Sequence, residues 1–193
     1  GSGAISSIGR NIAEHQESLA NGISGIKPLQ IIDLDLLVIK IGAMVENYRE
    51  GDFFSSQELS FFDRATQFAV IAANQAMDQS GFEVNMKNCH EVGVIIGNSG
   101  GSLQTLDENY RNVFRHKKKR LHPFIVPKLM GNAASSQLSI IFNAKGPSFT
   151  ISSACASSNH AMGQAFKMIQ SGQIIAAITG GCESMLCFGG LKA

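Results

Sequence analysis

The sequence predicts an α/β layered domain, and three features carry that prediction. Short apolar runs of strand character, such as Val92 to Ile96 and Gly146 to Ser152, alternate along the chain with longer segments of helical periodicity. Glycine or asparagine-glycine steps separate the two kinds of segment. The chain has 193 residues, 44% hydrophobic and 16% charged, which is enough for one domain with a large core.

A first strand is expected at Gly3 to Ser6, then a helix near Asn11 to Ala20 closed by Asn21-Gly22. Residues 27 to 53 are irregular; Ile31-Ile32 and Leu36 to Ile41 suit an edge strand as well as a packed loop. Ser55-Ser56-Gln57-Glu58 offers a capping box for a helical turn. A long helix from about Asp63 to Gln79 carries Ala65, Ala69, Ala72, Ala73 and Ala76, a face that implies close packing against a neighbour. After Gly81 the strand Val92 to Ile96 enters Gly97-Asn98-Ser99-Gly100-Gly101-Ser102 and a helix through Phe114. That turn fits neither Gly-x-Gly-x-x-Gly nor a Walker lysine motif, which argues against a nucleotide site. Pro127, at the favoured first turn, opens a helix expected to run to about Phe142. The strand Gly146 to Ser152 then turns through small residues into a helix from about Ala156 to Ser171. Its apolar stripe is Ala161, Met162, Ala165, Phe166, Met168 and Ile169, and Gly172 is its stop signal.

Cys155 lies at that strand-to-helix turn. Free cysteines more often pack in cores than react, but Ser152, Ser153, Ala154, Ala156, Ser157 and Ser158 are all small, which suits close approach by a ligand. Unpaired N–H groups at a helix N-terminus favour a thiolate and can also stabilise an oxyanion on a bound carbonyl. His160 falls five residues on, about 140° round the helix and away from the thiol, so it is read as a buried or interface residue. His116 and His122 carry no catalytic assignment.

Other function classes are disfavoured. A net charge of +1 steers the chain toward neither nucleic acid nor membrane. Its apolar runs fall well short of the roughly 20 residues that span a bilayer. The four cysteines, at 89, 155, 182 and 187, lack zinc-site spacing, so no metal is expected, and a reducing, cytoplasmic setting suits free thiols. The one strong charge cluster, Arg115 to Arg120, reads as a solvated face or a docking surface.

The run from Gly146 to Gly163, Gly-Pro-Ser-Phe-Thr-Ile-Ser-Ser-Ala-Cys-Ala-Ser-Ser-Asn-His-Ala-Met-Gly, resembles the nucleophile segment of the β-ketoacyl-acyl-carrier-protein synthases, condensing enzymes of the thiolase superfamily. Gly180-Gly181-Cys182-Glu183, His122-Pro123-Phe124-Ile125-Val126-Pro127 and the opening Gly1 to Gly9 resemble further segments of the family in register. The resemblance implies a thiolase-like α-β-α fold, with residues 1–193 as the N-terminal one of two similar halves. The chain therefore reads as a fragment whose C-terminal half, the family's source of two catalytic histidines, a lysine and a second oxyanion-hole amide, is absent.

By the same resemblance, Cys155 would hold the acyl chain as a thioester, its own amide forming part of the oxyanion hole, and malonyl-acyl carrier protein would condense with it after losing carbon dioxide. Substrates would ride on the phosphopantetheine of an acyl carrier protein, with no metal or diffusible cofactor. Leu106 and Phe124 would contribute to substrate binding, and Lys119 and Arg120 to carrier docking. A homodimer would use Phe124 and Phe149, though Phe149 suits core packing equally. The alternatives are a synthase primed by coenzyme A and a non-catalytic partner subunit like a chain-length factor; such subunits usually lack the nucleophile. The pathway, fatty acid or polyketide, is left open.

Overall fold

The computed structural model describes residues 1–192. In chain order its elements are α1 (Ile12–Ala20), β1 (Lys27–Pro28), β2 (Ile41–Gly42), α2 (Ser56–Phe61), α3 (Arg64–Ser80), β3 (Val92–Gly97), α4 (Leu103–Phe114), α5 (Ile125–Leu129), α6 (Ala133–Ile141), β4 (Ser148–Ile151), α7 (Ser157–Gln170), β5 (Ala176–Gly181) and α8 (Phe188–Lys192). Short 3-10 turns occur at Leu34–Leu36, Glu50–Asp52 and Cys89–Glu91. β4, β3 and β5 form a parallel sheet in that order, while β1 and β2 make a separate antiparallel ribbon.

β3 is buried along its whole length, as the central strand of a sheet covered on both faces must be. Its alternate side chains serve two cores. Val92, Val94 and Ile96 join Ala65, Ala69 and Val70 of α3 and Ala134 and Leu138 of α6. Ile95 joins Ala161, Ala165 and Met168 of α7 on the other face. Helices thus flank the sheet on both sides, the α-β-α layering expected.

The local signals explain most boundaries. Asn11 caps α1 and Ser55 forms a capping box with Glu58 at α2. Asp63 caps α3, its carboxylate accepting from Ala65 N–H at 2.8 Å, and Gly81 ends that helix in the left-handed region at φ 63°.

Two expectations need correction and one open choice is settled. Residues 3–6 form no strand; only an isolated bridge joins Ser6 and Gly9. A β-carbon on Gly3 would overlap the carbonyl of Ala72, and one on Gly1 that of Ala76. The segment therefore lies against the alanine face of α3, where Gln75 accepts from Ala4 N–H at 3.0 Å and Gln79 from Ser2 N–H at 2.6 Å. Side-chain amides of a helix replace the sheet ladder. The helix expected from Pro127 to Phe142 is two helices, α5 and α6, because the chain becomes extended at Met130 (ψ 139°) and restarts after Gly131-Asn132. Residues 27–53 are mostly loop with one two-residue ribbon, so Ile31-Ile32 form no strand.

Candidate active site

The register pairs Gly97 with both Ile151 and Gly181, so the three strands end together and their following loops emerge at one edge of the sheet. In open parallel sheets this carboxyl edge is where ligands bind. Cys155 is in the loop after β4 and just before α7, and it is exposed, whereas Cys89, Cys182 and Cys187 are buried.

Glycines bring α7 close to the strand ends. A β-carbon on Gly97 would sit 2.4 Å from the Ser157 carbonyl carbon and the Ser158 nitrogen, and one on Gly181 would sit 2.7 Å from Ser158 Cβ. The first turn of α7 therefore rests directly on β3 and β5. Between strand and helix, Ala154 adopts φ 51°, a left-handed conformation that costs a non-glycine residue about 1 kcal/mol. Ser157 holds this elbow: its Oγ accepts from Ser153 N–H at 2.9 Å and donates to the Ala154 carbonyl at 2.7 Å. Ala156 N–H donates to the Ser153 carbonyl at 3.2 Å. Among the described residues no protein atom accepts from the Cys155 N–H, which leaves it free to meet a carbonyl oxygen of a bound substrate.

The neighbouring loops are tied together by side chains. Glu183 accepts from Ser99 N–H at 3.1 Å, Ser99 Oγ at 2.8 Å and Gly100 N–H at 3.2 Å. Asn98 accepts from Gly101 N–H at 2.6 Å and donates to the Cys182 carbonyl at 3.1 Å. Burial pushes the Cys182 thiol up to about 11 and also raises that of Cys187. A cavity of about 370 Å³ opens beside these loops, with Asn98, Asn132, Ser148, Phe149, Thr150 and Ser152 in its wall.

The other sequence candidates lie in separate places. Leu106 is half-buried on α4 and Phe124 is 41% exposed, stacked on Phe61 with ring centroids 4.2 Å apart; neither lines that cavity. Phe149 on β4 packs partly against the α7 core. Lys119 and Arg120 are exposed in the α4–α5 connection and form no ion pair among the described residues, whereas Arg115 pairs with Asp33 at 2.7 Å. His160 is exposed, so of the two expected settings, buried or at an interface, the chain does not bury it, and its Nδ1 is 2.6 Å from Ser153 Oγ. Among the described residues no three His, Cys, Asp or Glu side chains form a metal-binding group, and no helix is long and apolar enough to cross a membrane. Sequence reasoning missed Ser153, Ser157 and Asn98; the density of small polar residues around Cys155 was the available signal, but it does not say which of them holds the loop.

A parallel sheet between two helical layers, with a cysteine exposed where a strand end meets a helix, is an α/β domain of the thiolase-like layering that the sequence resemblance implies. Solved structures agree on the fold. The ishigamide ketosynthase/chain length factor superposes with a TM-score of 0.88 at 22% identity, over 100% of this chain and 48% of that one. A type II polyketide synthase acyl-carrier protein in complex with its ketosynthase bound to the hexaketide gives 0.81 at 18% identity, over 100% and 51%. The chain belongs to the β-ketoacyl synthase family: the model of the beta-ketoacyl synthase N-terminal domain matches residues 1–193. The 3-oxoacyl-[acyl-carrier-protein] synthase 2 of Staphylococcus aureus is 32% identical over 184 residues, 95% of this chain and 46% of that protein. The chain thus spans about half the length of the curated relatives it matches.

Proposed function

We propose that this chain is the nucleophile-bearing half of a condensing acyltransferase that elongates acyl chains carried by an acyl carrier protein. The observation that carries this reading is the exposed Cys155 with a free N–H at the elbow before α7, in a chain of this family. The Cys155 sulfur attacks the carbonyl carbon of an acyl thioester, the carbonyl oxygen takes the negative charge facing the Cys155 N–H, and the phosphopantetheine thiolate leaves. In the second stage a malonyl thioester loses carbon dioxide, its carbanion attacks the acyl-Cys155 carbonyl, and the Cys155 thiolate departs, giving a 3-ketoacyl thioester. Residues outside this chain would supply the groups that assist decarboxylation. Acyl groups reach the site on phosphopantetheine, and because loss of carbon dioxide generates the carbanion, this reading needs no metal or diffusible cofactor.

Leu106 and Phe124 are proposed to shape the substrate region. Lys119 and Arg120, both exposed and free of ion pairs among the described residues, are proposed to meet an acidic carrier. β4 is an edge strand of its sheet, and we assign Phe149 on that strand and the exposed Phe124 to a homodimer contact. A cytoplasmic location suits three buried free thiols and one exposed one.

The test is to incubate the full-length parent of this chain with acyl-carrier thioesters of several chain lengths and map acyl mass to peptides. An adduct on Cys155 that disappears in Cys155→Ala is expected. No adduct from folded protein would sink the enzyme reading and favour the non-catalytic, chain-length-factor-like subunit.

A further inference from the structure

We infer that His160 is a positioning residue for Cys155, acting through Ser153. This role presupposes the condensing reaction proposed above only for its effect on acyl transfer. The elbow holds Ala154 in a left-handed conformation, and such a residue relaxes unless its surroundings over-determine it. Ser157 ties the elbow through backbone groups of Ser153 and Ala154. The side chain of Ser153 is a second anchor: its Oγ lies 2.6 Å from His160 Nδ1, one turn further along α7. Ser153 is therefore held at its N–H by Ser157 and at its hydroxyl by His160, and Cys155 follows it by two residues.

The contact is a clamp, not a proton relay to sulfur. When the neutral ring carries its proton on Nε2 the Ser153 hydroxyl donates to Nδ1; when Nδ1 is protonated, in the other tautomer or the charged ring, Nδ1–H donates to Oγ, so the bond persists in every state. Loss of the clamp frees Ser153 to rotate, lets Ala154 leave its unfavourable conformation, and swings the Cys155 thiol off the N-terminus of α7.

The test uses two readouts: the rate of Cys155 alkylation by iodoacetamide, and acyl transfer from an acyl-carrier thioester. Asparagine at 160 places an amide nitrogen close to the Nδ1 position, whereas glutamine extends to the Nε2 position. His160→Ala, His160→Gln and Ser153→Ala should each slow both reactions about tenfold, with KM for the acyl donor little changed and melting temperature retained. His160→Asn should restore both rates to within about twofold of the native protein. The double variant His160→Ala/Ser153→Ala should be no slower than either single one, since both remove one interaction. Native rates in His160→Ala, equal rescue by glutamine and asparagine, or additive losses would each overturn the clamp. If the native protein is never acylated yet the alkylation pattern holds, the clamp stands and the condensing reading fails.

Discussion

Ser157 is 4% exposed, and its hydroxyl accepts from Ser153 N–H and donates to the Ala154 carbonyl, so its removal leaves Ser153 N–H without a partner and the Ala154 carbonyl with only the Ser157 N–H at 3.1 Å. Ser157→Ala should lower unfolding free energy by about 1–2 kcal/mol and slow acylation of Cys155, whereas Ser157→Thr, which keeps the hydroxyl, should retain most of both. Denaturant titration and adduct mass decide this; an unchanged Ser157→Ala protein would mean that the elbow holds itself. The thiols give a second prediction. Cys155 alone is exposed, and burial raises the Cys182 and Cys187 thiols, so iodoacetamide at about pH 8 should label Cys155 first. Peptide mapping that found Cys182 labelled first would contradict the structure. Cys155 was legible in the sequence because a helical stripe and Gly172 fix where α7 lies, and small neighbours mark the turn before it. The work of Ser157 was not, since Ser152, Ser153, Ser157 and Ser158 are alike on paper and only the left-handed step at Ala154 turns one of them inward.

For the elements, the decisive packing is α7 on the ends of β3 and β5. A methyl group on Gly97 would overlap the backbone of Ser157 and Ser158, atoms that cannot swing aside as a side-chain tip does. Gly97→Ala should therefore cost about 1–3 kcal/mol and impair Cys155 by pushing the first turn of α7 off the sheet. Gly51→Ala is the control, because nothing lies within 4 Å of its added carbon. Equal melting temperatures for the two variants would show that α7 is not seated as described. The strands β3 and β4, the helices α1, α3 and α7 and the capping box at Ser55 were legible because periodicity and capping are local signals. Gly3 to Ser6 was misread because its apolar character satisfies a helix face as well as a strand. Only tertiary contact with Ala72 and Ala76 distinguishes them. The break at Gly131-Asn132 carried a breaker signal that the flanking apolar periodicity outweighed.

In the whole molecule, alternation along the chain was enough to predict an α/β layered domain and the family resemblance its α-β-α layers, yet neither says anything of the charge states those layers enforce. Cys182 sits in the larger core with Ala65, Val94 and Leu138, and burial raises its thiol to about 11. An unfolded cysteine titrates near 8.5. The folded chain therefore prefers the neutral thiol, and its contribution to stability is complete below the unfolded value and lost as pH climbs toward the folded one. Over about two pKa units the loss is on the order of 3 kcal/mol, an upper figure because the unfolded thiol is not fully solvated. Tyr48, which burial raises to about 12, adds a further loss beginning only above the ordinary tyrosine value near 10. Melting temperature followed from about pH 7 to pH 11 should thus fall in two stages. Cys182→Ala should start lower, from its lost packing, but stay flatter through the first stage, and Tyr48→Phe should alter only the second. A native curve with no decline between about pH 8.5 and pH 10 would mean that Cys182 reaches solvent. The loops that carry Asn98 and Glu183 would then be less firmly closed over the core than their hydrogen bonds imply.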